Sequence, residues 1–183
     1  MAEVLPTMTN IYLVYLELLL QIIALILLIA GCMFMLIVFL GAPFVPTPMS
    51  IIKDLIQIAN ISKDDIVIDL GSGDGRMLIQ TARQGAIAKG WEINPLLVLW
   101  THLAVHHYRV GKRVKVHLQN YYKADLSDAT VVFLYSFPPH LPKLEQKLQK
   151  DLQAGTTIIS YKFTFPTLKL TASPKPGIFI YTI

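Results

Sequence analysis

Residues 67–79 read VIDLGSGDGRMLI. An apolar run ends at Leu70, then Gly71, Gly73 and Gly75 follow at alternate positions, with Ser72 between them and Asp69 and Asp74 alongside. Glycines let a chain turn sharply and let a ligand approach the backbone closely. The spacing is G-x-G-x-G. It is neither the G-x-G-x-x-G of dinucleotide folds nor the G-x-x-x-x-G-K-[ST] of phosphate loops, and no lysine follows it. Two carboxylates would repel a pyrophosphate here. They favour a ligand that carries positive charge near the bend.

S-adenosylmethionine meets that requirement with its amino group and sulfonium, and its carboxylate can use the free N–H groups where the next helix begins. Other residues fall in suitable places. Glu92 closes the next apolar run, where a carboxylate can accept two ribose hydroxyls. Ile93 follows it and could lie against an adenine face. Asn120 could accept a hydrogen bond from the adenine amino group, or be a plain turn residue; Tyr121 adds an apolar wall. Tyr135 and Ser136, ending a later apolar run, are the groups best placed to orient an acceptor amine.

These residues need elements to position them. Patterns of strand and helix alternate: strands at 66–70, 87–93, 113–118, 130–135 and 156–163, and helices at 49–59, 76–84, 95–108 and 142–152. Asn94-Pro95 is a strong helix start. The charges Arg113, Lys115 and His117 suit an exposed edge strand. Segments 168–172 and 178–183 read as a closing hairpin. Repeated strand–helix–strand units imply an α/β fold, a mainly parallel sheet with helices on both faces. Such sheets bind ligands beyond the carboxyl ends of their strands, and the glycine bend lies at one of those ends.

The beginning of the chain is different. Hydrophobic residues make up 54% of the 183, and charged residues only 15%, below the quarter usual in soluble domains. The excess lies in residues 11–40, roughly 45 Å of helix at 1.5 Å per residue, against a hydrocarbon core of about 30 Å. The expected organisation is an N-terminal tail (1–10), a transmembrane helix (11–40), a proline-rich connector (41–48) and one folded domain (49–183). Glu17 and Gln21, one turn apart, reach interfacial water or a neighbouring helix. Ile29-Ala30-Gly31-Cys32 has the look of a lipoprotein cleavage box, but no basic residue precedes it and the apolar run continues past it. All 16 Lys and Arg follow residue 41, together with 10 of the 12 acids, leaving that part at +6. This asymmetry predicts a single-pass membrane protein with its C-terminal domain on the cytoplasmic or mitochondrial matrix side. The basic residues form no dense run, and no nucleic-acid partner is expected. His102 and His106 lack a nearby Cys or acid, so no metal is expected either.

Together, VIDLGSGDGR, GWEINP and the connector PFVPTP carry a resemblance. The chain resembles a family of seven-β-strand protein-lysine methyltransferases. Its members include archaeal enzymes of broad specificity and membrane-anchored mitochondrial enzymes acting on the ATP synthase c subunit and the adenine nucleotide translocator. The likeness covers about residues 42–167, including KFTFP at 162–166, which is similar to the family's R-F-P-F-P. It implies a Rossmann-like seven-stranded class I sheet and S-adenosylmethionine as cofactor. By the same resemblance Asp69, Gly71, Gly73, Asp74 and Gly75 would hold the methionine part and Glu92 the ribose, and Thr47 would close over the bound cofactor or serve only as a spacer. Asn120 departs from the family's usual acid, and Tyr121-Tyr122 from its Leu-Trp pair.

The reading is therefore a membrane-anchored methyltransferase acting on a lysine of a protein at the membrane. Its rivals are a methyltransferase of lipid or quinone head groups and a catalytically silent cofactor-binding protein.

Overall fold

The computed structural model describes the backbone of residues 8–40 and 44–183 and the side chains of 11–35 and 44–183. It divides into two units, the second being Phe44–Ile183. In the first, α1 (Met8–Leu40) is one continuous helix. Its stretch Ile11–Met35 is long and apolar enough to cross a membrane by length and composition, and none of it is buried. The helix is already formed at Met8, inside the expected tail; residues 1–7 and the connector's 41–43 lie outside the described residues.

The second unit follows the expected alternation. After α2 (Met49–Ile58) come β1 (Ile66–Leu70), α3 (Arg76–Arg83), β2 (Ile87–Glu92), α4 (Pro95–His107), β3 (Val114–Leu118), β4 (Val131–Leu134), α5 (Leu141–Asp151), β5 (Thr157–Tyr161), β6 (Leu170–Lys175) and β7 (Ile178–Thr182). They build one seven-stranded sheet in the order β3-β2-β1-β4-β5-β7-β6. β1 to β5 are mutually parallel, and β7 runs antiparallel between β5 and β6. β3 is an edge strand, as its charges require.

The period of two along the strands sorts the core. Val67, Phe133 and Ile159 face one side and meet Ile52, Leu55 and Ile56 of α2. Ile68, Val132 and Ile158 face the other and meet Leu141, Leu144 and Leu148 of α5. Strands covered on both faces carry unbroken apolar runs, which is why 66–68 and 131–134 lack polar alternation. Asn94 caps α4, its Oδ1 accepting from Leu96 N at 3.0 Å. α4 buries Val98, Thr101 and Val105, while Leu96, Leu99, Trp100 and Leu103 stay exposed along its outer face.

Two strands depart from the sequence pattern by more than one residue at an end. β5 ends at Tyr161 because Lys162 adopts a left-handed φ of 70°, which turns the chain out of the sheet. β6 runs on through Pro174 to Lys175, narrowing the hairpin connection to Pro176-Gly177. Gly177 supplies the positive φ of 75° that this tight turn needs, and Pro174 is tolerated because β6 is an edge.

Candidate active site

The strand order reverses between β1 and β4, which makes this the switch point where ligands of such sheets bind. Leu70 pairs with Leu134, and Leu134 with Ser160. The glycine bend after β1 and Tyr135-Ser136 after β4 therefore emerge side by side.

Gly71, Gly73 and Gly75 all have positive φ, 83°, 56° and 76°, a region costly for other residues. The bend is tied down from several sides. Gly71 and Ser72 N–H both donate to the Trp91 carbonyl of β2, at 2.9 and 3.1 Å. Thr101, fully buried in α4, donates its hydroxyl to the Gly73 carbonyl at 3.1 Å. The same side chain lies against Gly75 so closely that a Cβ there would overlap it. The ring of Phe44 covers Gly73. Of the three, only Gly71 has open space where a side chain would stand.

Asp69 is 9% exposed, and no donor among the described residues hydrogen-bonds its carboxylate. Burial first, then the charges of Glu92 and Asp74, push its pKa up to about 7. A buried carboxylate without a cationic partner is an electrostatic cost. A cationic ligand in the bend would relieve it. Ser72 Oγ is likewise buried without a hydrogen-bond partner.

Glu92 is buried and already occupied. One oxygen accepts from Gly73 N at 2.9 Å, the other from Ile93 N and Asn94 N at 2.8 Å each. It therefore organises the bend and the start of α4. The Gln119 N–H donates to the Glu92 carbonyl at 2.9 Å, which ties the start of the turn carrying Asn120 and Tyr121 to the end of β2. Asn120 Oδ1 accepts from Tyr122 N at 2.9 Å, starting a short 3-10 turn. Tyr135 is half-buried and Ser136 buried at the end of β4. The Tyr135 ring stands edge-on to Tyr161 at 5.1 Å and stacks near Phe163 at 6.2 Å.

Arg76 is the site residue that sequence reasoning missed. Its guanidinium grips both oxygens of Asp74, at 2.6 to 3.0 Å, and donates through Nη1 to the Thr47 carbonyl at 3.0 Å. Asp74 thus serves the bend through Arg76, and the connector is strapped over the glycines. The only sequence signal was an acid two residues before an arginine. Arg76→Ala should release Thr47 and leave Asp74 unpaired. The expected result is faster proteolysis at the connector and cofactor affinity about tenfold weaker, the loss of one charged hydrogen-bonded group, read by limited digestion and calorimetry. Lysine cannot make both contacts, so Arg76→Lys should rescue little.

A parallel sheet in this order, closed by an antiparallel hairpin and carrying a glycine bend between two acidic strand ends, is the Rossmann-like fold of class I methyltransferases. The chain belongs to the family of the ANTKMT methyltransferase domain, whose model matches residues 69–172. It is 36% identical over 123 residues to a protein-lysine N-methyltransferase of Saccharolobus islandicus, a match spanning 66% of this chain and 76% of that one. A Xenopus laevis lysine N-methyltransferase of the ATP synthase c subunit is 33% identical over 124 residues, 68% of this chain. The match spans only about half of that relative's length, 54%. Among solved structures, an RNA methyltransferase of Salinibacter ruber in complex with S-adenosyl-L-homocysteine is 33% identical with a TM-score of 0.74. That superposition covers 76% of this chain and 94% of the other.

Proposed function

We propose that the chain is a membrane-anchored, S-adenosylmethionine-dependent methyltransferase acting on a lysine side chain of a protein at the membrane surface. The observation that carries this reading is the buried Asp69 carboxylate near the end of β1, reached by no donor among the described residues, beside a glycine bend that adjoins Tyr135 across the switch point. Asp69 and the bend suit the cationic methionine part of the cofactor, Glu92 the ribose, and Ile93, Asn120 and Tyr121 the adenine. The bound cofactor supplies an activated methyl group. The chain supplies position, which accounts for much of the rate of an in-line displacement. A lysine must lose its proton first, at a cost of about 4.6 kcal/mol at pH 7. A desolvated approach beside positive charge lowers that cost, so no dedicated base is needed, and Tyr135 and Ser136 orient the amine.

The names of the archaeal and amphibian relatives support lysine as the acceptor. The apolar helix α1 supports anchoring, and the basic second unit supports its retention on the cytoplasmic or matrix side. The exposed stripe Leu96, Leu99, Trp100 and Leu103 on α4 suits a protein working against a bilayer.

The test is incubation of the full chain, purified in detergent, with methyl-labelled S-adenosylmethionine and host membranes, followed by separation of protein, lipid and RNA. Label recovered as methyl-lysine from protein, and absent with Asp69→Ala, is the expected result. Label in lipid would move the protein to head-group methylation. Label in RNA would align it with the name of the Salinibacter enzyme.

A further inference from the structure

The end of β5 carries a feature that cofactor binding does not use. Lys162 has a left-handed backbone, φ 70°, a conformation uncommon outside glycine and concentrated at functional sites. Two bonds hold it there. Lys162 N donates to the Gly177 carbonyl at 2.7 Å, and Ser160 Oγ donates to the Phe163 carbonyl at 2.6 Å. The kink sends the side chain back over the carboxyl edge of the sheet instead of along it. There Nζ stands over two aromatic faces, 5.4 Å from the centre of the Tyr135 ring and 5.7 Å from that of Tyr161. Ring faces attract ammonium at such distances.

Tyr135 is the group read above as orienting the acceptor amine. A lysine amine of the chain itself already rests on it. We propose that Lys162 occupies the acceptor-amine position of its own enzyme and is methylated there in cis. This inference rests on the lysine methyltransferase reading and on that role for Tyr135.

The chemistry balances without any further reactant. The Lys162 ammonium gives a proton to solvent, and the neutral Nζ attacks the methyl carbon of S-adenosylmethionine. The N–C bond forms as the S–C bond breaks, and its electron pair returns to sulfur, leaving a neutral thioether and a methylammonium. The Tyr135 hydroxyl beside Nζ holds the Lys162 pKa above its ordinary value, so the neutral form is scarce. Modification should therefore be slow, and an incoming substrate lysine would compete for the same ring.

The test uses the full chain in detergent with methyl-labelled S-adenosylmethionine and no other acceptor, with cofactor binding confirmed by calorimetry. Peptide mapping by mass spectrometry should find methyl-lysine at 162, formed at a rate that does not change when the protein is diluted. Tyr135→Leu that still binds cofactor should label Lys162 about fivefold more slowly, the worth of one cation–π contact, and Tyr135→Phe, which keeps the ring and loses the hydroxyl that raises the Lys162 pKa, should label at least as fast as the parent. A cofactor-bound protein with no methyl group at Lys162 would overturn the proposal. So would a rate that rises with protein concentration, or equal labelling in Tyr135→Leu. Lys162→Arg separates the two readings with poly-L-lysine as acceptor. If that variant labels the polymer while the parent never labels Lys162, lysine methylation stands and this inference falls.

Discussion

Asp69→Asn should make the ligand-free protein more stable above neutral pH and nearly abolish cofactor binding. The sign follows from where the pKa moves. The carboxyl rises from 3.8 in the unfolded chain to about 7 in the folded one, chiefly by burial. The folded state therefore binds more protons than the unfolded state across that interval. Stability is complete below pH 3.8, declines as pH rises, and has lost its full increment above about 7. A shift of this size amounts to on the order of 4 kcal/mol, a large share of the 5–15 kcal/mol typical of a folded domain. Asparagine keeps the shape and removes the charge, so thermal melts of the ligand-free variant should gain at about pH 8 and match the parent at about pH 4. Cofactor binding should move the other way. The ionised Asp69 is the form that pairs with a cationic ligand, so the parent's affinity should weaken as pH falls below 7. In Asp69→Asn that dependence should be absent and the Kd raised at least about 100-fold, as for loss of one partner of a buried charge pair. Calorimetry across pH reads both effects. An Asp69→Asn variant that binds S-adenosylmethionine like the parent would remove the basis of the proposed function.

The second large effect is expected at Gly75. Alanine there faces two independent penalties. The φ of 76° is left-handed, costing roughly 1–2 kcal/mol for a residue with a side chain. The new Cβ would also overlap Cγ2 of Thr101 and stand 2.8 Å from its Oγ1, and Thr101 is fully buried. Overpacking of this kind costs a further 1–3 kcal/mol or so. Pushing Thr101 aside also breaks its bond to the Gly73 carbonyl, so the bend loses its shape as the fold loses stability. Gly75→Ala should be destabilised by about 2–5 kcal/mol in thermal melts, with cofactor binding lost. Adding Thr101→Ser deletes the overlapping methyl and keeps the hydroxyl. The double variant should recover part of the packing share, since Oγ1 still stands 2.8 Å away, and none of the backbone share. Full recovery would show that φ strain contributes nothing.

How far the sequence reached can be seen at individual residues. The Asn94 cap, the edge position of β3 and the strand ends at Leu70 and Glu92 were legible, because each depends on its near neighbours in the chain. Lys162 was not, since nothing in KFTFP announces a left-handed residue. The strap from Arg76 to Thr47 was hidden too: 29 residues separate the partners, and hydrophobic periodicity carries no information about which polar groups meet. Thr101 read only as one more position on a helix.

The sequence by itself determined the sheet, the bend, the charge of its ligand and the apolar leading helix, because periodicity, glycine spacing and composition are local properties. Only the tertiary structure decided what each acid does. Folding left Asp69 without a hydrogen-bond donor among the described residues, gave Asp74 to Arg76, and set Glu92 against three backbone N–H groups. Three carboxylates of nearly equal intrinsic acidity were thereby assigned three roles, because burial and hydrogen-bond partners follow from which distant segments fold together.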